Sequence, residues 1–146
     1  LRYMYSQSGA ELIPAARELE YVRQYVDLQR LRLNHHTMVN LVVEAVYAQA
    51  LVPPMILITF VENAFKYGTS SETDCTILIR IHVDEFCLWL ETENAVMRRR
   101  EDGACGIGIA NCRKRLELLY PGRYTLQTGE IDGTYRVRLE IKIKDE

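Results

Sequence analysis

The spacing of apolar residues along the chain predicts three helices. In three segments, apolar side chains recur every three or four positions, which places them on one face of a helix. The first of these segments follows Pro14, a residue suited to a first helical turn. The predicted helices run from Pro14 to Leu33, from Pro53-Pro54 to Gly68 and from about Ile109 to Pro121.

Strict alternation of apolar and polar residues predicts strands between and after these helices. The last segment shows the pattern well, because Tyr135, Val137 and Leu139 alternate with Arg136 and Arg138. The predicted strands cover about 39–47, 77–83, 86–93, 124–128 and 134–144. Most of them are apolar on one face only, which is typical of a sheet covered on one side and open to water on the other.

These elements favour an α/β fold: a two-layer α/β sandwich with a mixed sheet of about five strands and three helices on one face. The strands come as hairpins with short turns such as Asp84-Glu85 and Asp132-Gly133. The order of elements is not a regular βαβ series, so a doubly wound parallel sheet is disfavoured.

Composition narrows the class of protein without indicating a function. The chain has 146 residues, 48% of them apolar, which is enough for one domain with a real core. A net charge of −2 disfavours a general binder of nucleic acid or of anionic membrane surfaces. No apolar run approaches the roughly 18 residues that a membrane-spanning helix needs. The cysteines lack CxxC spacing and indicate reduced thiols of a cytosolic protein; they are Cys75, Cys87, Cys105 and Cys112.

The stretch ITFVENAFKYG, which runs from Ile58 to Gly68, places polar side chains in an otherwise apolar helix. Thr59, Asn63 and Lys66 share one face, and Glu62 lies one step round. An amide oxygen suits Mg²⁺ that keeps several waters, and a lysine ammonium suits a phosphate oxygen. This face could therefore hold a metal–phosphate pair. The alternative is a solvated helix end in which Glu62 and Lys66 form an i, i+4 ion pair.

A second polar cluster, GACGIGIANCRKRL, runs from Gly103 to Leu116. Gly103, Gly106 and Gly108 precede the third predicted helix, and glycines before a helix N-terminus let backbone N–H groups approach a phosphate closely. The GxGxxG dinucleotide pattern is incomplete, because Asn111 stands where its third glycine belongs. The alternative is a flexible loop with a helix cap.

The order of these motifs resembles the catalytic, ATP-binding domain of sensor histidine kinases, within the GHKL group of ATP-binding proteins. The stretch VENAFKYG is similar to the N box of that domain, and GACGIGIANCRKRLELLY is similar to its G box. The stretch LEYVRQYVDLQRLRL resembles the helix that opens the domain in the LytS-type subfamily. The resemblance covers nearly the whole chain, and it implies the two-layer Bergerat fold with ATP and Mg²⁺ as cofactors.

The resemblance also implies roles for single residues. Asn63 would bind Mg²⁺, with Glu62 and Lys66 beside it as catalytic residues, and Tyr67 would contact nucleotide phosphates. The glycines of the G box would contact phosphate and shape the hinge of a lid, with Asn111 beside them; they are Gly103, Gly106 and Gly108. The stretch from Arg98 to Cys105 has charge and no apolar periodicity, and it would belong to a mobile ATP lid.

Two departures from the family pattern bear on the nucleotide site. The family's DxG motif, whose Asp binds the adenine amine, falls on Glu93-Asn94-Ala95. Strand alternation turns Asn94 rather than Glu93 toward the inner face, so we expect Asn94 to contribute at least as much as Glu93 to adenine binding. Thr59 stands where related ATPases carry a general-base Glu, which favours a kinase over an ATPase.

The implied function is that of an ATP-dependent protein-histidine kinase. The γ-phosphoryl of ATP would pass to a histidine outside this chain, on the protein's own dimerisation and phosphoacceptor region or on that of a dimer mate, and then to a response regulator. No histidine of this chain has the sequence context of the acceptor; the three are His35, His36 and His82. We expect residues 1–146 to form one domain, with residues 1–12 the tail of a linker from that missing region.

The whole protein would be a homodimer in the membrane, with this domain in the cytosol and without direct contact to the bilayer or to nucleic acid. Two alternatives are open. A degenerate adenine site would leave a non-catalytic scaffold domain of the GHKL group. A relative of the anti-sigma-factor kinases would phosphorylate serine on a partner protein, although the LytS-like first helix disfavours this.

Overall fold

Three helices occupy the segments that the apolar stripes predict. The structure, a computed structural model, describes residues 4–5, 11–98 and 107–145. The helices are α1 (Ala15–Arg32), α2 (Ile56–Gly68) and α3 (Ile107–Leu119). Helix α1 begins directly after Pro14, which is its extended cap residue and the last residue of β2 rather than part of the predicted first turn. No helix in the described part of the chain is long and apolar enough to cross a membrane.

The strands form a large sheet and a small one. The strands of the described segments are β1 (Met4–Tyr5), β2 (Glu11–Pro14), β3 (Thr37–Ala45), β4 (Leu51–Val52), β5 (Cys75–Val83), β6 (Cys87–Ala95), β7 (Tyr124–Ile131) and β8 (Thr134–Lys142). The large sheet has the order β3-β5-β6-β8-β7, and the small one has the order β1-β2-β4. In the large sheet β3 and β5 are parallel and every other pair is antiparallel, so the predicted five-stranded mixed sheet is confirmed.

One face of the large sheet carries the hydrophobic core. Alternate residues of β5, β6 and β8, including Ile79, Leu90 and Leu139, are fully buried under the helices. Apolar residues of all three helices belong to the same cluster, which confirms a sandwich of two layers. The opposite side, called the open face below, carries cross-strand ion pairs such as Glu91–Arg138. The molecule therefore has one covered face and one wet face, as the alternation predicts.

The small sheet joins the start of α1 to the start of α2. In β2 and β4, which precede these two helices, Ile13 lies opposite Val52 in an antiparallel pair. The first turn of α1 then donates to the segment before β4, with Ala15 N–H to Ala50 O at 2.7 Å and Ala16 N–H to Ala48 O at 2.9 Å. The free N–H groups of a helix N-terminus are thus satisfied by another part of the chain. The two helix starts are held as one unit.

A histidine on the open face is bound by two carboxylates. His82 of β5 contacts Glu44 through Nδ1 at 2.6 Å and Asp84 through Nε2 at 2.9 Å. Its ring stacks on Trp89 at 5.5 Å between centroids. The hydrogen bond to Asp84, together with that to Glu44, raises the pKa of His82 although burial opposes the charge. The His82 hydrogen bond also lowers the pKa of Asp84.

This cluster predicts a stability that depends on pH. Because the folded pKa of His82 is raised, its contribution is complete below the unfolded value of about 6.5 and is lost as the pH rises through the folded value. The variant His82→Gln should therefore lose less thermal stability than wild type when the pH rises from about 6 to about 9. Thermal melts at several pH values measure this. The matched control His35→Gln should follow wild type, and parallel melting curves for wild type and His82→Gln would contradict the assignment.

Candidate functional site

Helix α2 presents a single polar stripe on an otherwise buried surface. Along Ile56–Gly68 every residue is buried except Thr59, Glu62, Asn63 and Lys66. These positions follow i, i+3, i+4 and i+7 spacing and so lie on one side of the helix. The helix is packed on the rest of its circumference, which gives these side chains a fixed backbone and one direction in which to point.

The N-terminus of α3 lies against this stripe. A Cβ atom added to Gly108 would lie 3.2 Å from the methyl group of Thr59, so the missing side chain allows the two helices to approach. Asn63 follows Thr59 by one helical turn. The N–H groups of a helix N-terminus favour negative charge, and the polar stripe is therefore adjacent to a region suited to phosphate.

The helix α3 begins earlier than the sequence predicts. It starts at Ile107 rather than near Ile109, so Gly108 lies inside its first turn and not in a loop before it. Asn111 is exposed on the same helix. Gly103 and Gly106 lie outside the described residues, as does the expected lid from Arg98 to Cys105 apart from Arg98 itself. Their predicted roles stay predictions.

Asn94 lies beneath the C-terminal end of α2. It is 1% exposed, and its Cβ would be 2.6 Å from a Cβ atom added to Gly68. Its amide Nδ2 donates to Ala95 O at 3.0 Å, whereas its Oδ1 is buried and has no hydrogen-bond partner among the described residues. A buried acceptor without a partner is costly, and it marks a place where a donor from a ligand would be stabilised.

Glu93 points the other way. The strand β6 continues to Ala95, beyond the predicted end near Glu93, so the alternation of side chains persists through Asn94. Glu93 therefore lies on the open face, where its carboxylate accepts a hydrogen bond from Arg136 Nε. The structure separates these two neighbours, although both were candidates for the adenine site.

A cavity of about 440 Å³ lies beside the C-terminal end of α2, and Tyr67, Val96 and Tyr135 help to line it, whereas Asn94 is not among its lining residues. Tyr67 precedes Gly68 on α2, and Tyr135 is the cross-strand partner of Asn94. The chain beyond β6 is attached at the same place, because Met97 and Arg98 both donate their N–H groups to Tyr67 O, at 2.8 and 3.2 Å. The volume lies within the range of cavities that hold small ligands.

A larger cavity of about 770 Å³ lies elsewhere, beside β4 and the C-terminal end of α3. Leu51, Leu119 and Lys144 are among its lining residues. The smaller cavity is the better candidate site, because Tyr67 of α2 lines it together with Tyr135, the cross-strand partner of the buried Asn94.

Two glycines contribute to this site in ways that the sequence alone did not reveal. Gly68 was predicted only as the end of a helix, yet its lack of a side chain makes room for Asn94. Gly108 was predicted to lie in a loop, yet it lets α3 approach Thr59. At both positions the lack of a side chain permits a close contact between two elements.

The donor set around Asn63 fits a metal that arrives with its ligand. Among the described residues no cluster of three or more His, Cys, Asp or Glu side chains could hold a metal ion. Mg²⁺ commonly keeps several waters and uses one or two protein oxygens together with substrate phosphates. Asn63 can supply one oxygen, and the residues present therefore fit magnesium bound as a nucleotide complex.

Sequence comparison relates the chain to sensor kinases. No protein-family model matches the chain. Sensor histidine kinase BtsS of Escherichia coli is 29% identical over 140 residues, which are 94% of this chain. Sensor histidine kinase YesM of Bacillus subtilis is 26% identical over 93% of the chain, and sensor protein LytS of Enterococcus faecalis is 25% identical over 92%. The chain spans 25% of the length of each of these relatives.

Solved structures match the fold. The catalytic domain of histidine kinase ThkA, in a nucleotide-free form, has a TM-score of 0.62 at 14% identity, with 100% of both chains covered. Full-length ShkA in complex with AMPPNP has a TM-score of 0.61 at 17% identity, over 90% of this chain and 31% of that one. ThkA in complex with response regulator protein TrrA has a TM-score of 0.58 at 15% identity, over 92% and 42%. The chain is thus homologous to sensor histidine kinases over 94% of its length, and its fold is that of a histidine kinase catalytic domain.

Proposed function

We propose that this chain is the ATP-binding catalytic domain of a two-component sensor histidine kinase. It binds ATP with Mg²⁺ and passes the γ-phosphoryl group to a histidine outside these residues, from which a response regulator receives it. The observation that carries the proposal is the buried, unpaired Oδ1 of Asn94 under the end of α2, in a chain whose relatives are sensor histidine kinases.

The amide of Asn94 suits adenine. Its Nδ2 is engaged by Ala95 O, so Oδ1 is the atom left to accept a hydrogen bond. Adenine offers an exocyclic amine as a donor, whereas guanine would bring a carbonyl oxygen to the same place and leave two acceptors facing each other. Glu93 is paired with Arg136 on the open face and is poorly placed to take this role.

The polar stripe of α2 suits the phosphates. Asn63 would hold Mg²⁺, which when bound neutralises the charge of the phosphate oxygens. Lys66 adds a positive charge one turn further on, and the N-terminus of α3 adds N–H groups near Thr59. Phosphoryl transfer depends mainly on positioning and charge neutralisation, and these groups supply both.

The position of Thr59 favours transfer over hydrolysis. Its hydroxyl donates to Met55 O at 2.9 Å, and a hydroxyl in that bond is not a base that could activate water. Glu62, one step round the helix, is exposed. A domain without an efficient base at the γ-phosphate retains the phosphoryl group for an acceptor side chain, which is what a kinase requires.

The acceptor and the regulator are partners outside the chain. His36 contacts Asp74 at 2.7 Å, and His82 is bound by Glu44 and Asp84, so both rings serve local structure. The complex of ThkA with a response regulator supports a partner of the same kind for this domain. The whole protein would be a homodimer anchored in the membrane, with this domain in the cytosol.

The kinase assignment predicts where phosphate goes. Incubation of this chain with γ-labelled ATP should leave it unlabelled, because it lacks the acceptor. A longer protein that includes the upstream region should gain acid-labile label, and adding a response regulator should remove it. Label on His35, His36 or His82 would contradict the assignment. A longer protein that binds ATP yet never gains label would instead support a non-catalytic scaffold.

A further inference from the structure

A buried carboxylate on α1 caps the N-terminus of α2. Glu18 is 2% exposed. Its Oε1 accepts from Met55 N–H at 3.0 Å and its Oε2 accepts from Leu57 N–H at 3.1 Å. Ile56, Leu57 and Ile58 in the first turn of α2 are buried, which limits the access of water to their N–H groups, and no side chain of the cap residue Met55 accepts from them. Glu18 therefore serves as the cap, from a different helix.

The backbone at this cap is strained. Met55 has φ 66° and ψ 9°, a left-handed conformation that a residue with a side chain adopts at a cost of about 1 kcal/mol. The side chain of Met55 is exposed, so its packing does not compensate for this cost. The two hydrogen bonds to Glu18 hold the residue in place. Such a conformation persists only where the surroundings determine it.

The cap is connected to the polar stripe of α2. Met55 O accepts a hydrogen bond from the hydroxyl of Thr59. The methyl group of Thr59 faces Gly108 of α3, and Asn63 follows one turn later. The place where a helix starts decides the direction of each later side chain, because successive residues turn by a fixed angle. The carboxylate of Glu18 comes from the first turn of α1, which is itself fixed by the carbonyl groups of Ala48 and Ala50.

A carboxylate at this depth is unusual. Glu residues are rarely fully buried unless they are paired. Burial raises the pKa of Glu18, and the N–H bonds from α2 and the charge of Arg115 only partly oppose the rise. A serine or asparagine at the cap position would satisfy one donor with no buried charge. The carboxylate of Glu18 instead accepts two hydrogen bonds and so satisfies two donors at once.

We propose that Glu18 is a positioning residue for the metal-bound nucleotide. By fixing the start of α2, it sets the place of Asn63 and hence the affinity for Mg·ATP. The inference rests on the proposed function, because it needs the polar stripe to be the metal–phosphate site. Glu18 acts through the helix and does not itself contact the nucleotide.

The test compares two glutamates of one helix. Glu18→Gln keeps the size of the side chain but turns an amide N–H toward a backbone N–H, so one donor loses its acceptor. Glu20→Gln makes the same charge change at an exposed position of α1. Calorimetry should show that Glu18→Gln weakens Mg·ATP binding by about fivefold, a value typical of coupled sites. The gain in ATP affinity on adding Mg²⁺ should fall in Glu18→Gln, because Asn63 is the residue assigned to the metal, and Glu20→Gln should change nothing.

A second variant separates an effect on the stability of the fold from an effect on the position of Asn63. Met55→Gly removes the strain of the left-handed backbone at an exposed site, so Glu18→Gln/Met55→Gly should stay folded and still lack the cap. The double variant should show the same fivefold loss. Hydrogen exchange of the Met55 and Leu57 amides, measured without nucleotide, should be faster in both variants than in wild type.

Each outcome has a different meaning. Unchanged exchange at Met55 and Leu57 in Glu18→Gln would overturn the cap itself. Faster exchange with unchanged Mg·ATP affinity would overturn the positioning role and leave a cap that serves stability alone. A wild-type chain that binds no nucleotide would overturn the proposed function and this inference with it, whatever the variants do.

Discussion

Replacing Asn63 by alanine should weaken Mg²⁺-dependent ATP binding by about tenfold or more, equal to about 1.4 kcal/mol. Asn63 lies in the middle of the polar stripe of a helix that is otherwise buried, so packing of the helix fixes the position of its backbone. Loss of the amide would leave the phosphate charge without its bridge to the protein. Calorimetric titration of wild type and variant with ATP, each with and without Mg²⁺, measures the effect.

The control for this experiment is Asn40→Ala, which removes an exposed amide on β3. It should bind Mg·ATP as wild type does. If Asn63→Ala and wild type bind equally, or if Mg²⁺ makes no difference to either, the stripe is a solvated helix surface and the metal assignment is wrong.

Removing the side chain of Asn94 should erase the preference for ATP over GTP. The variant Asn94→Ala takes away the buried acceptor, and loss of such a hydrogen bond weakens ATP binding by about tenfold. Glu93→Ala is the matched control on the adjacent residue. It breaks an ion pair with Arg136 on the open face and should keep the preference. Competition between ATP and GTP for each variant decides the matter.

Two results bear on the Asn94 prediction. If Glu93→Ala erases the preference and Asn94→Ala keeps it, the base is bound through the carboxylate, as in the family pattern, and Asn94 does not face the base. Gly68→Ala tests the same site from α2. Its Cβ would lie 2.6 Å from that of Asn94, so the amide must shift, and both the base preference and the thermal stability should fall.

The sequence predicted well those features that repeat along the chain. Helical stripes located the three helices, and alternation located the five strands of the large sheet. The same alternation gave the inward direction of Asn94, because side chains on a strand change face at every residue. It could not give the end of β6, which continues to Ala95 because β8 pairs with it that far.

Features made by distant contacts had no local signal. The sequence does not predict the small sheet, because β2 and β4 have four and two residues, which are too few for an alternation to appear. The bond between Glu18 and Met55 joins residues 37 positions apart. In the sequence Glu18 is one of several charged residues on a helix, and only its packing distinguishes it. Gly68 and Gly108 also lack a local signal, because their roles depend on the side chains that pack against them.

Trp89 is the single tryptophan of the chain, and its stack on His82 gives the protein a built-in optical reporter. A protonated imidazole quenches indole emission, so the intrinsic fluorescence of the folded protein should report the titration of His82. Trp89 also lies on the open face, opposite to that of Asn94. Quenching by direct contact with a bound purine is therefore ruled out by geometry. A change in emission when ATP is added would therefore report a change transmitted from one face of the sheet to the other.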